Sequence, residues 1–226
     1  MADVTDYCEV SANTFHKLAD RYRDKYMDLT TYDDSYLAFC DLLNHDRARV
    51  LDAACGPGNV SRYLKTQKPA LDLLGIDLAP RMVELAQAAV PSAQFKVHDC
   101  RRLADLGLRF DGIVCAFGLP YLSPAEATDF IAGADAVLDP GGVLYLSCME
   151  GDSEDSGLES SSSGDQVYIN YHSEDHIRSA LASHGFVIAE FKRLSSPGAA
   201  NKITTDMLVI ARKPVSVIQV SMDSRY

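Results

Sequence analysis

Beyond residue 48 the chain alternates between short apolar runs and longer segments in which apolar positions return every three or four residues. Short runs rich in β-branched residues read as strands, and a period near 3.6 reads as helix. On this pattern strands are predicted at Arg49 to Ala54, Leu71 to Asp77, Gln94 to His98, Asp111 to Ala116, Val143 to Cys148, Val187 to Leu194 and Asp206 to Arg212. Helices are predicted between them at Gly58 to Lys65, Pro80 to Ala89, Pro124 to Leu138 and Ser173 to His184. Pro80 and Pro124 suit the first helical turn, where no backbone N–H is needed. Ser173 followed by Glu174 reads as an N-cap with an acid in the first turn, and Gly185 as the glycine that ends the helix. Strands alternating with helices predict an α/β fold, a parallel sheet covered on both faces.

Ahead of the first strand, "SANTFHKLADRYRDKYMDLTTYDDSYLAFCDLL" places Phe15, Leu18, Tyr22, Tyr26, Leu37 and Leu42 on the apolar stripe of one or two amphipathic helices. Residues 1–45 are thus expected to cap a single domain spanning 46–213, with 214–226 as a frayed tail or edge extension. One interruption stands out. The polar, acidic stretch "GDSEDSGLESSSSGDQ" shows no regular element and directly follows the fifth strand. It is either a floppy surface insertion or, since ligands sit at the carboxyl ends of such strands, a lid over about residues 150–172.

Charge and cysteine usage narrow the function. With 21 basic and 32 acidic residues the net charge is −11. That balance repels a phosphate backbone, so a small-molecule substrate is expected rather than nucleic acid. Six cysteines are scattered without a CxxC pair, which fits reduced thiols in a cytoplasmic protein and neither a zinc site nor a disulfide scaffold. No apolar run is long enough to cross a bilayer, and the acidic N-terminus does not resemble a secretory signal. Oligomeric state has no signature.

Candidate chemistry begins at "VLDAACGPGNV", a strand breaking into a glycine-rich turn and then a helix. Such a turn brings bare backbone N–H groups against a ligand. Ser61 holds the place of the third glycine of the dinucleotide fingerprint, and no Lys-Ser or Lys-Thr pair follows, so neither a nicotinamide dinucleotide nor a nucleoside triphosphate is favoured. Asp77 ends the second strand, where a carboxylate can accept both ribose hydroxyls, and Asp99 ends the third, within reach of an adenine amino group. Together they describe an adenosine site.

These segments, "VLDAACGPGNV", "GIDLAPRMVELAQ", "VHDC", "FDGIVCAFGLPYLS" and "LDPGGVLYLS", resemble in order and spacing the signature segments of class I S-adenosylmethionine-dependent methyltransferases. The later "YHSEDHIRSALASHGFVIAEF" resembles the helix-then-strand ending of small-molecule members. The resemblance implies a Rossmann-like, mostly parallel seven-stranded sheet with helices on both faces and an antiparallel last strand, and S-adenosyl-L-methionine as cofactor. It puts Gly56 and Gly58 under the methionine part, with Asp52 supporting the turn and the cofactor's amino group. Asp77 would hold the ribose, Leu78 and Met82 would pack on the adenine, Asp99 and the backbone of Cys100 would read its edge, and Ala116 would lie near the methyl group. A tyrosine of the N-terminal helices is implied against the methionine carboxylate. Tyr22, Tyr26 and Tyr32 are the candidates, with Tyr26 put forward.

Methyl transfer from a sulfonium is an in-line displacement whose rate can come largely from orientation; a base helps when the acceptor is a phenol, alcohol or amine. His172 and Tyr171 in "VYINYHSED" and Tyr121 in "GLPYLS" are the catalytic candidates. Each has a structural alternative in packing or helix entry. His98 reads as structural, and the thiols of Cys55 and Cys100 as small buried hydrophobes. The leading expectation is a methyltransferase acting on a small organic molecule. The alternatives are a cofactor binder without methyl transfer, or an enzyme using the sulfonium charge for another reaction.

Overall fold

The computed structural model describes residues 5–160, 164–197 and 203–215. The predicted tail from residue 216 on lies outside them, as do residues 161–163 of the serine-rich stretch. Two helices, α1 (Tyr7–Tyr26) and α2 (Asp33–Leu42), precede β1 (Arg49–Ala53). The chain continues through α3 (Asn59–Gln67), β2 (Asp72–Asp77), α4 (Pro80–Ala89), β3 (Gln94–Val97), β4 (Phe110–Ala116), α5 (Pro124–Val137) and β5 (Leu138–Glu150). After β6 (Gly157–Ser160) and β7 (Gln166–Ile169) come α6 (Glu174–Ser183), β8 (Val187–Pro197) and β9 (Ile203–Arg212).

Seven strands form one sheet in the order β3-β2-β1-β4-β5-β9-β8. β1 to β5 pair in parallel, whereas β9 runs antiparallel to both β5 and β8. The central strands are apolar on both faces because both faces are covered. In β1, Val50 packs with Phe39 of α2 and Leu64 of α3, while its neighbour Leu51 packs with Phe130 of α5 and Leu181 of α6. Each fully buried Leu, Ile or Phe contributes roughly 1.5–3 kcal/mol. An exposed pair such as Arg23–Asp20 is screened by solvent and contributes little beside this, so the two apolar layers hold the fold.

Helix ends follow local chemistry. Asp6 caps α1 by accepting from Glu9 N at 3.1 Å, and Ser123 with Glu126 forms a reciprocal capping box ahead of Pro124.

The serine-rich stretch departs from expectation. β6 and β7 make an antiparallel hairpin, and α1 gives it a surface to form on. Ser11 Oγ accepts from Tyr168 N at 3.0 Å, Thr14 Oγ1 donates to Gln166 O at 2.6 Å, and Tyr7 stacks on Tyr168 with ring centroids 4.4 Å apart.

Gly112 of β4 lets α2 lie close to the sheet. A Cβ there would stand 2.7 Å from Leu43 Cδ2 and 2.8 Å from Phe39 Cζ. Gly112→Val is therefore expected to lower the unfolding free energy by about 1–3 kcal/mol in urea denaturation, the cost of overpacking a filled core. An unchanged midpoint would contradict this close contact.

Candidate functional site

The strand order reverses between β1 and β4. β1 leads into α3 on one face and β4 into α5 on the other, so the loops diverge and leave a crevice at the carboxyl ends, the usual ligand position in an open α/β sheet. A cleft of about 680 Å³, its open mouth included, lies there. Ala54 and Gly56 line it from the β1 turn, Asp77, Leu78 and Met82 from β2 and α4, and His98, Asp99 and Cys100 from the end of β3. Ala116, Phe117 and Gly118 follow from β4, with Tyr121 and Leu122 beyond. Cys8, Ser11, Ala12, Phe15 and Tyr22 of α1 close the remaining side.

The β1 turn is held in an unusual backbone shape. Ala54 and Gly56 have φ of 56° and 53°, the left-handed region that costs a side-chain-bearing residue energy. Nothing stands within 4 Å of where a Cβ on Gly56 would lie, so the backbone there faces open space. Asp77 fixes the turn. Its Oδ2 accepts from Gly56 N at 2.9 Å and its Oδ1 from Ala79 N at 2.8 Å, while burial shifts the carboxyl upward. Gly58 does not line the cleft. A Cβ there would meet Ala86 Cα at 2.9 Å, so its part is close packing of the turn on α4. Asp52 is likewise outside the lining, at 1% exposure, and accepts from Ser61 Oγ at 2.6 Å. Ser61, where a dinucleotide site has its third glycine, thus ties the helix start back to the strand.

Asp99 reaches the cleft with its carboxylate already engaged. Arg101 donates to it from Nε at 2.9 Å and Nη2 at 2.7 Å, and also reaches Asp6 at 3.0 Å and Glu126 at 2.7 Å. This guanidinium joins the start of α1, the end of β3 and the cap of α5. Burial opposes ionisation of Glu126, but Arg101 and Ser123 outweigh it and hold that carboxyl below its ordinary value.

The catalytic candidates divide. Tyr121 lines the cleft edge-on to Phe15, ring centroids 4.9 Å apart, and burial raises its phenol well above the usual value, so it stays protonated and cannot serve as a base near neutrality. His172 does not line the cleft. It is 1% exposed, its Nε2 donates to Leu119 O at 2.9 Å, and burial lowers its pKa. Tyr171 is also set aside from the cleft, packed against Gly151. The cause is backbone pairing: Asn170 N donates to Pro120 O at 2.7 Å and His172 N to Met149 O at 3.1 Å, which turns 170–172 into a buttress for the turn bearing Tyr121. Tyr26 stacks behind Tyr22 at 4.4 Å, and Tyr22 is the N-terminal tyrosine that lines the cleft.

Phe15 and Phe117 also line the cleft. The amphipathic stripe of α1 reads Phe15 as a core contact. Phe117 carries no sequence signal, because its place depends on a φ of 56°, with its N–H donating to Ser147 Oγ at 2.9 Å.

Residues 50–142 match a family model described as a methyltransferase domain. Over those residues the chain is similar to methyltransferase domains. A demethylmenaquinone methyltransferase of Deinococcus radiodurans is 36% identical over 113 residues, 48% of this chain and 46% of that protein. A trans-aconitate 2-methyltransferase of Variovorax paradoxus is 32% identical over 101 residues, 45% of this chain and 38% of the other. The chain thus spans less than half the length of these relatives. Among solved structures, magnesium protoporphyrin IX methyltransferase from Synechocystis PCC 6803 with bound S-adenosylmethionine superposes with a TM-score of 0.70 at 22% identity, covering 94% of this chain and 99% of that one. At that identity the methyltransferase fold is what the two share.

Burial raises the Asp52 carboxyl to about 7, with Ser61 opposing and the Asp77 charge adding to the shift. A carboxyl raised on folding binds its proton more tightly in the native state, so its stabilising contribution is full below the unfolded value and is lost as pH rises toward 7. Asp52→Asn is expected to lose this dependence. Its unfolding free energy relative to wild type should rise between pH 4 and pH 8 by roughly 2–4 kcal/mol, read from urea denaturation at each pH. Parallel pH profiles for the two chains would contradict a buried, protonated Asp52.

Proposed function

We propose that the protein is an S-adenosylmethionine-dependent methyltransferase acting on a small organic molecule in the cytoplasm. The observation carrying this reading is the convergence of Gly56, Asp77, Leu78, Met82, Asp99, Cys100 and Ala116 on one cleft at the reversal of strand order. These residues suit the cofactor's parts. Open space over Gly56 admits a close-lying chain, the Asp77 carboxylate can accept from ribose hydroxyls, and Leu78 and Met82 offer apolar faces to a purine. With Arg101 holding the Asp99 carboxylate, the backbone of Cys100 becomes the freer reader of the adenine edge. Tyr22 replaces Tyr26 as the tyrosine proposed to touch the cofactor.

When bound, the cofactor supplies an electrophilic methyl group on a sulfonium. The chain's part is orientation and exclusion of water. Tyr121 is a wall and a hydrogen-bond donor, and His172 and Asn170 act by holding that wall in place. Residues 1–45 form a cap on a single domain spanning 46–213, and the β6–β7 hairpin against α1 belongs to the lid over about residues 150–172. Relatives named for demethylmenaquinone and trans-aconitate support a small organic acceptor, and a net charge of −11 disfavours nucleic acid. Free thiols at all six cysteines suit a reducing compartment. Those relatives also favour methyl transfer over cofactor binding alone.

Calorimetry with S-adenosylhomocysteine tests the site. Saturable binding is expected for wild type, weakened roughly 100-fold or more in Asp77→Ala, which loses hydrogen bonds from a charged acceptor. Near-equal affinity in the two chains, both folded by circular dichroism, would reject the assignment.

A further inference from the structure

Behind the cleft lies a buried carboxylate that faces no cation among the described residues. Asp206, in the first half of β9, is 1% exposed. Its Oδ2 accepts from Tyr32 OH at 2.7 Å, and its Oδ1 has no hydrogen-bond partner among the described residues. The basic residues of neighbouring β8 turn elsewhere: Arg193 to Glu150 and Glu174, Lys192 to Glu190. Among the described residues, the titratable groups facing Asp206 are Tyr32 from the α1–α2 connection and Tyr145 and Cys148 from β5, none of which can be cationic. A buried charge without a partner is costly, and a ligand that brings the partner recovers that cost on binding.

Position relates this group to the cleft. Ala116 is opposite Ser147 and Ser147 opposite Leu208, so the three share a face of the sheet. Asp206 is two residues from Leu208, on the same face and toward the carboxyl edge of β5, beside Met149. Two strand spacings across and two residues along amount to roughly 12 Å from Ala116, about the length of a one- or two-ring molecule. Between them stands Phe117, a cleft residue whose ring lies 4.9 Å from that of Tyr32. Tyr32 is itself partly exposed, so the pair can be approached.

We propose that Tyr32 and Asp206 form the far end of the acceptor site and select methyl acceptors that carry a protonated amino group remote from the reacting atom. The Tyr32 hydroxyl donates its hydrogen bond to Asp206 Oδ2, which leaves acceptor capacity on its own oxygen. Together with Asp206 Oδ1 this oxygen presents acceptors, beside the Ser196 hydroxyl and with no cation among the described residues. An ammonium, with three donors and a positive charge, is complementary; a carboxylate at the same place meets repulsion. Phe117 supplies the apolar surface between this anchor and the methyl end.

The inference rests on the cofactor reading of the cleft, so S-adenosylhomocysteine is titrated first into wild type, Asp206→Asn and Tyr32→Phe. Equal binding by all three is expected; no binding by wild type would fail the cofactor reading instead. Phenethylamine and 3-phenylpropionate, alike in shape and opposite in charge, are then titrated into each saturated complex. Wild type is expected to bind the amine and not the acid. Asp206→Asn should weaken amine binding about tenfold or more and Tyr32→Phe by a smaller factor. Melting of Asp206→Asn without amine should be unchanged or higher, since an uncompensated charge is removed. Absence of amine binding to wild type, preference for the acid, or an amine affinity untouched in Asp206→Asn would each overturn the proposal.

Discussion

The cleft depends on one constraint: β1 and β4 lie side by side while their following helices depart to opposite faces of the sheet. That geometry obliges both chains to turn sharply at the same height. Ala54 and Phe117 pay for the turn with left-handed backbone, and each is held by its surroundings. The β1 turn is pinned by Cys55 N donating to Ile76 O and Gly56 N donating to Asp77; the β4 turn by Phe117 N donating to Ser147 Oγ. Gly118 completes the fit, since a Cβ there would come within 2.6 Å of Cys115 Sγ and 3.0 Å of Ala54 Cβ. The two turns interlock, so the shape of one sets the other.

Buried polar groups are concentrated around this junction. Asp52 and Ser61 tie β1 to α3, Ser147 holds the backbone after β4, and Asn170 and His172 brace the turn that carries Tyr121. Burying such groups costs energy unless they are hydrogen-bonded. Two atoms among the described residues lack a partner, His172 Nδ1 and Asp206 Oδ1, and their situations differ. A neutral imidazole with its Nε2 proton given to Leu119 O leaves Nδ1 an uncharged lone pair, a small cost. A carboxylate oxygen is a larger one.

Elements that depend on periodicity and caps were legible from residues alone. All seven strands of the main sheet fall where the apolar runs put them, and α4 runs from Pro80 to Ala89 as its proline and apolar spacing predict. The hairpin was not legible, because β6 and β7 are short, polar and serine-rich; their pairing rests on Ser11 and Thr14 of a helix some 150 residues away in sequence. The cleft shows the same divide. Gly56, Asp77, Leu78 and Met82 are set by strand ends and are readable as such. His172 looked like chemistry because a histidine after a lid is a natural base, but backbone hydrogen bonds to Leu119 and Met149 decide where it goes, and those partners are remote in sequence. Among Tyr22, Tyr26 and Tyr32, spacing could not choose; Tyr22 faces the cleft because Phe15, one helical face earlier, packs on it edge to face at 5.5 Å.

The cover over the cleft is held differently from its floor. The floor is strand backbone buried under two apolar layers, whereas α1 is attached through a few side chains: Arg101 to Asp6, Ser11 and Thr14 to the hairpin, and His16 and Asp20 to Arg81. Its apolar share is small, with Ala19 packed among Ala79, Met82 and Leu85, and Phe15 and Tyr22 alongside. Exposed polar attachments are screened by solvent and contribute little, so α1 belongs to the less stable part of the fold. Met82 has a part in both regions, lining the cleft and packing in the cluster beneath α1. The apolar wall of the cleft and the cluster that anchors α1 are therefore continuous through that one side chain.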